Sequence, residues 1–352
     1  MLDGTNLGRP LGALIGWAYR RAHRSLFRAG DFPRRVFLEL TSVCNLKCPM
    51  CPHPTMKRRP GHMTIATAEK AAEELSRLRP PLEYITLHAF GEAVLHPELA
   101  ALLSMLRRRL PQTSLIASVN LASARCEQID ALFDSGIGNI GVWMDSARKE
   151  TYETMRAGGN FEKTLAAVDY LLDRKRRSGS RDPLFHIGMI VSRINADQVG
   201  EFAAFWRRRL RGVPGVSIVS SRCHNFNGKV DESFALRPRR PYYVDRPCAQ
   251  ACREMVIQST GDIGLCCLDA EGETAVGNLK DMTLREAWRS PRAEQLRAEM
   301  RRSVYRLDVC RHCDGKRLYL FDGRPPDATH LSYEESFTPE WQAPAPEPEP
   351  EP

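Results

Sequence analysis

Between residues 35 and 221, six short apolar runs alternate with longer stretches of helical spacing, and no other feature limits the fold as tightly. The strand candidates are RVFLELT (35–41), LEYITLHA (82–89), SLIASVN (114–120), NIGVWMD (139–145), LFHIGMIV (184–191) and GVSIVSS (215–221). Helical spacing marks 64–79, 97–110, 124–135, 161–178 and 196–210, and HPELAALLSMLRRRL carries a proline in its first turn. Strands separated by helices make βα units, so the chain is α/β with a parallel sheet, closed or partly closed as a barrel. In such a barrel the working residues lie in loops after the strand C-termini.

The flanks read differently. Residues 1–34 contain the basic, amphipathic segment Leu11–Phe27, which lacks the apolar core and cleavage site of a signal peptide. A helix packed on the domain is expected there; contact with a membrane surface is the alternative. After the barrel, 35–221, comes a Gly-, Pro- and Arg-rich linker, 222–241. A cysteine-rich module, 242–320, follows, and then an acidic proline-alternating tail, 321–352, expected to be extended. The net charge of +8 is carried by basic runs on amphipathic helices. Without interleaved aromatics these are solvated faces, and no nucleic-acid partner is expected. No run of apolar residues is long enough to span a bilayer.

Eleven cysteines without a secretory signal point to metal rather than to disulfides, and to a cytoplasmic location. Three of them, Cys44, Cys48 and Cys51, fall in the loop CNLKCPMC directly after the first strand. Three thiolates so spaced can wrap one cuboidal iron–sulfur cluster and leave one iron open, as a catalytic metal requires. With His53 as a fourth ligand the same loop would make a structural zinc site, and spacing alone does not separate the two.

CNLKCPMC after a strand resembles the signature of the radical S-adenosylmethionine (SAM) family. HAFGEAVLHPEL, 88–99, is similar to that family's Gly-Gly-Glu-Pro stretch beside the methionine part of SAM, with Gly91 and Glu92 matching and Phe90 and Ala93 departing. NIGVWMDSARKETYETMRAGG resembles the family's Ser-x-Asp strand end and its Tyr-x-x-x-Arg-x-Gly. Asp145, Tyr152, Arg156 and Gly158 match, and Trp143 stands where serine is usual. Asn120 is shared with the family's Thr-Asn-Gly turn. The resemblance implies a partial (β/α)6 radical SAM barrel holding a SAM-binding 4Fe-4S cluster on Cys44, Cys48 and Cys51. It implies SAM contacts at Gly91, Glu92, Asn120 and Asp145, and reductive cleavage of SAM to a 5′-deoxyadenosyl radical.

The second cysteine set, CAQACREMVIQSTGDIGLCCLD (248–269) with CRHC (310–313), resembles the SPASM and twitch extensions of these enzymes, which hold auxiliary clusters. Gly277, Asn278 and Trp288 occupy further places of that pattern. A hairpin over 255–268, turning at Thr260-Gly261, would bring Cys248 near Cys266. One auxiliary 4Fe-4S cluster is assigned to Cys248, Cys266, Cys310 and Cys313. Cys252 in place of Cys248, Cys267 in place of Cys266, and zinc in place of the cluster remain alternatives. Of the leftover thiols, Cys126 reads as core, while Cys223 and Cys252 are candidate hydrogen-atom donors beside His88, a candidate base at the end of the second strand.

The expected function is a radical SAM oxidoreductase, of dehydrogenase or epimerase type. Its substrate would be a small polar molecule such as a sugar, aminocyclitol or nucleoside derivative, and its electrons would come from a flavodoxin- or ferredoxin-type donor. The alternative is a maturase of a peptide or protein side chain, for whose leader-recognition domain the 34 residues before the first strand leave little room. A third reading, of a different class, is a non-catalytic zinc-binding adaptor.

Overall fold

The structure is a computed structural model and describes residues 5–6, 9–231, 234 and 242–319. The six expected strands are present as β1 (Arg35–Leu38), β2 (Tyr84–Thr86), β3 (Ser114–Val119), β4 (Asn139–Trp143), β5 (Leu184–Val191) and β6 (Val216–Arg222). They lie side by side in sequence order and all are parallel. The chain is thus α/β with an open, partial barrel. The sheet does not end at β1. Beside it, in parallel, runs β7 (Glu254–Ile257), followed by the antiparallel β8 (Asp262–Gly264) and β9 (Gly277–Asn278). The hairpin expected around Thr260-Gly261 is therefore the continuation of the barrel sheet, with Gly261 in the left-handed turn position at φ +88°.

Each strand alternates strictly, and this alternation defines two faces. One side is apolar: Val36 and Leu38, Ile85 and Leu87, Leu115, Ala117 and Val119, Ile140, Val142 and Met144, Phe185, Ile187 and Met189 are all buried in a single core. Helices α2 (Ile65–Ser76), α3 (Leu99–Arg109), α4 (Cys126–Asp134), α6 (Phe161–Ser178) and α7 (Val199–Leu210) cover it. Their starts follow capping chemistry: Thr64 accepts from the Thr67 N–H at 3.1 Å and Asn160 from that of Lys163 at 2.9 Å. A short helix, α5 (Lys149–Met155), escapes the sequence reading. The opposite face of the sheet looks into the barrel and is mixed, with Thr86, Ser118, Asn139 and His186 beside the apolar Phe37, Ile116 and Ile190.

Helix α1 (Arg9–Ala22) packs against the cysteine-rich region, where Arg20 donates to the Arg301 carbonyl at 2.6 Å and Tyr19 lies under the Arg246 guanidinium. Leu14 and Trp17 remain exposed on it. None of the described helices is long and apolar enough to cross a membrane. The Gly- and Pro-rich segment after β6 is no loose tether where it is described. Cys223, Asn225, Asn227 and Val230 are buried. A small sheet joins Thr5–Asn6, Tyr242–Asp245 and Arg317–Tyr319. The tail assigned to 321–352 lies outside the described residues.

Candidate active site and cluster sites

The loop after β1 is pulled into place by backbone bonds on both sides. Met63 N–H donates to Leu40, Glu92 N–H to Val43, Lys47 N–H to Ala157 and Cys51 N–H to Cys48. Gly91 passes so close that a Cβ there would lie 2.0 Å from the Thr41 carbonyl oxygen, so only glycine fits. The three thiols share an apolar surround with Leu46, Met50, Met155, Cys223 and Val230. Burial pushes the Cys44 thiol up to about 11 and that of Cys51 up to about 12, and raises that of Cys48. Thiols in such a setting become thiolates when a cation binds them.

Polar groups ring the loop. The Asn120 amide lies 3.9 Å from the Cys44 sulfur and donates to the Asn45 side chain at 3.2 Å. Glu92 accepts from the Asn120 N–H at 2.7 Å through Oε2, while its Oε1 is buried and has no partner. Burial lifts this carboxyl to about 7. Arg156 reaches to 4.0 Å from the Cys48 sulfur and donates through Nε to Asp145 at 2.6 Å. The other Asp145 oxygen accepts from the Ile190 N–H at 2.7 Å. Asp145 is fully buried with both oxygens engaged, so it acts here as the anchor of Arg156. His53 turns away from the thiols, its Nε2 bonded to the Ser42 carbonyl at 2.9 Å.

Among the remaining candidates, His88 accepts from the Ser118 N–H at 3.1 Å through Nδ1, and burial pushes it down to about 4. It stands as a neutral hydrogen-bonding group, far too weak a base to be protonated near neutrality. Cys223 lies beside the first thiol set, its thiol pushed by burial up to about 12. Cys252 instead faces Arg301 of α8 (Pro291–Arg301), 3.8 Å away.

The second set is gathered from three segments. Cys310 and Cys313 both feel the charge of Cys248, and Cys266 feels that of Cys313. Burial raises all four thiols, those of Cys310 and Cys313 to about 12. Cys267 leaves this group: its N–H bonds Glu254 at 2.7 Å and its thiol faces the same carboxylate. Among the described residues, no three His, Cys, Asp or Glu converge on a point that would hold a single metal ion. Each iron of a cuboidal cluster takes one thiolate of its own, so three and four separated thiols fit such clusters. The orphaned Glu92 oxygen fits an ammonium group beside the first.

Sequence reasoning missed the link between the two sets. Glu39, one residue past β1, is wholly buried and receives Arg58 at 2.5 and 2.8 Å, the Phe90 N–H at 3.3 Å and the Ser259 N–H at 3.1 Å. Arg58 also donates to the Ala270 carbonyl at 2.7 Å. A charged residue ending an apolar strand, with its partner some twenty places on, was the available signal.

Residues 38–205 match the family model described as the Radical SAM superfamily, and residues 248–314 match SPASM, an iron-sulfur cluster-binding domain. The chain belongs to the radical SAM superfamily. That membership brings a SAM-binding 4Fe-4S cluster, SAM and an auxiliary iron–sulfur cluster as its cofactors, and it removes the zinc-adaptor reading. Among curated relatives, the Mycofactocin maturase MftC of Mycobacterium ulcerans (strain Agy99) is 26% identical over 174 residues, 49% of this chain. The match spans 44% of that relative, so less than half of its length is represented. Among solved structures, Streptococcus suis SuiB bound to precursor peptide SuiA superimposes with a TM-score of 0.60 at 12% identity, covering 83% of this chain and 73% of that one. BtrN in complex with AdoMet and 2-DOIA gives 0.54 at 18%, covering 80% and 93%. At these identities the structures establish the fold of the radical SAM core and its extension.

Proposed function

We propose that the protein is a radical SAM maturase that takes hydrogen from a side chain of a peptide or protein. What carries the radical chemistry is the three-thiol loop with an orphaned carboxylate oxygen beside it. What supports the peptide substrate is the likeness to MftC, named a maturase, and to SuiB, held with its precursor peptide. The cofactors, when bound, supply a 5′-deoxyadenosyl radical able to attack an unactivated C–H bond.

Cys44, Cys48 and Cys51 hold the SAM-binding cluster. Glu92 receives the ammonium group of SAM on its free oxygen, and Gly91 lets the backbone approach. Asn120 and Arg156 direct donors at the cluster-bearing sulfurs, with Asp145 fixing Arg156. Cys248, Cys266, Cys310 and Cys313 hold the auxiliary cluster. The apolar surround of the loop excludes water from the reacting bond. Cys223, beside the first set, is the better placed hydrogen-atom donor; Cys252, facing α8, is not. A flavodoxin- or ferredoxin-type protein supplies electrons.

A second reading, dehydrogenation or epimerisation of a small polar molecule, is favoured by the match with BtrN, 93% of whose chain is covered. The deciding experiment is anaerobic reconstitution followed by SAM and dithionite with deuterated candidate substrates. Deuterium passing from a peptide side chain into 5′-deoxyadenosine supports the maturase; transfer only from a sugar or cyclitol supports the second reading. Release of no 5′-deoxyadenosine from protein loaded with about eight irons overturns both.

A further inference from the structure

The barrel wall below the thiol loop holds its described cations in ion pairs, and Phe37, Tyr84 and Trp143 are the large aromatic side chains that alternation places on it among the described residues. The alternation that sends one set of apolar residues toward the helices sends Thr86 and His88, Ser118, Asn139 and Trp143, His186 and Ser217 inward, together with Phe37, Tyr84 and Ile116. The described cations on this face sit in ion pairs, Arg35 with Glu254 at 3.6 Å, Arg58 with Glu39 and Arg156 with Asp145; Arg156, beside Cys48, keeps a buried Nη2 without a hydrogen-bond partner. The rest is a chain of neutral hydrogen bonds. Trp143 Nε1 donates to Ser118 Oγ at 2.6 Å, and the Ser118 N–H to His88 Nδ1 at 3.1 Å. Asn139 meets His186 at 2.6 Å, and His186 meets Ser217 on its other nitrogen.

The indole is held from two sides. Its N–H is tied to Ser118, and its face lies across Gly188, the register partner of Trp143 on β5. A Cβ on Gly188 would fall 2.4 Å from the ring, so this glycine exists where the ring needs the room. Trp143 is half-buried. The Oδ1 atom of Asn139, a residue only 8% exposed, has no hydrogen-bond partner. A buried acceptor left unpaired calls for a donor from outside the fold. Burial holds both histidines near 4, so they stay neutral across the physiological range.

We propose that this wall receives an uncharged, hydrogen-bonding group of the substrate, seated on the Trp143 indole, and that Trp143 is a specificity-determining residue. A carboxylate or ammonium seated against Trp143, away from Arg156, would lose its water and find no free counter-charge. A flat or ring-bearing neutral group gains the indole face and the donors and acceptors around it. That the group is a side chain rests on the maturase reading above; that it is uncharged rests on the wall alone.

The test uses the reconstituted full-length protein with SAM under anaerobic conditions and reads binding by saturation-transfer NMR. The probes are the N-acetyl amides of tyrosine, asparagine, glutamate and lysine, and myo-inositol as a neutral ring without a peptide. The tyrosine and asparagine probes bind, and Trp143→Ala and Gly188→Ala each weaken them about threefold to tenfold, the range of one aromatic contact. Trp143→Phe, which keeps a ring, retains most of the binding and carries the test together with Gly188→Ala if Trp143→Ala fails to load iron. Equal or stronger binding of the glutamate or lysine probe, indifference to the Gly188 and Trp143 variants, or binding of no neutral probe overturns the proposal. Binding of myo-inositol without the amides upholds the wall and rejects the peptide as carrier.

Discussion

The two cysteine-bearing regions are built on one sheet by opposite strategies. The first set falls within eight consecutive positions of one loop, and its environment comes from five other strands or strand ends. The second is collected from three segments spread over more than sixty residues, and its environment is largely its own. A contiguous loop can offer three thiols and still leave one side open to the barrel, where a substrate must come. Thiols drawn from separate segments do the reverse: each closes a loop, so the cluster doubles as a staple beside the apolar core that Met255, Ile257, Ile263, Leu284 and Trp288 already share with the barrel.

The sharpest way to break that contrast is to remove one thiol from each set. Cys44→Ala is expected to abolish SAM cleavage, while iron falls from about eight to about four and the melting temperature changes little. Cys313→Ala is expected to keep SAM cleavage but to lose the other cluster and several kcal/mol of stability. Iron and sulfide counts, 5′-deoxyadenosine release and thermal melts check both. A Cys313→Ala protein as stable as the parent would show that the second cluster is no staple.

The next largest effect should come from the contact joining the regions. Arg58→Met leaves Glu39 buried without its counter-charge, at a cost of about 3–5 kcal/mol. Because Glu39 also holds Phe90 and Ser259, both regions should loosen together, visible as faster amide exchange at the hairpin and at the Gly91 turn alike. The double variant Glu39→Gln, Arg58→Met should recover part of the loss, since a neutral amide no longer needs a cation. Exchange rising in the hairpin alone would mean that the regions are mechanically independent.

The barrel was legible because its strands are short β-branched runs bounded by turn residues, and the six runs fall where the strands do. The thiol loop was legible because its chemistry is local. What lay beyond the sequence is long-range. Nothing in RVFLELT announces that β1 pairs with β7, more than two hundred residues away. That pairing makes the second region an extension of the barrel sheet. Choosing between Cys248 and Cys252, or Cys266 and Cys267, likewise depends on which thiol turns toward Arg301 or Glu254, and that is set by packing. The polar inner wall was within reach: the alternation in SLIASVN and NIGVWMD already separates Ser118, Asn120, Asn139 and Trp143 from their apolar neighbours.

Acidification offers the smallest effect and the most selective one, because two half-buried neutral histidines stand on the barrel wall, His88 on one strand end and His186 on β5. Both are held near 4 by burial, against about 6.5 in an unfolded chain. Between those values the unfolded chain binds more protons than the folded one, so stability is complete above pH 6.5 and drains as the pH falls toward 4. At pH 5.5 each histidine should cost the fold about 1 kcal/mol. His88→Gln and His186→Gln should each flatten the slope of melting temperature between pH 7 and 5 by that share. The loss belongs to the barrel, so the exchange of amides along β3 and β5 should quicken on acidification more than that of the 310–313 loop. A slope unchanged in both variants would mean that neither histidine is buried in neutral form, and the uncharged character of the wall would fall with it.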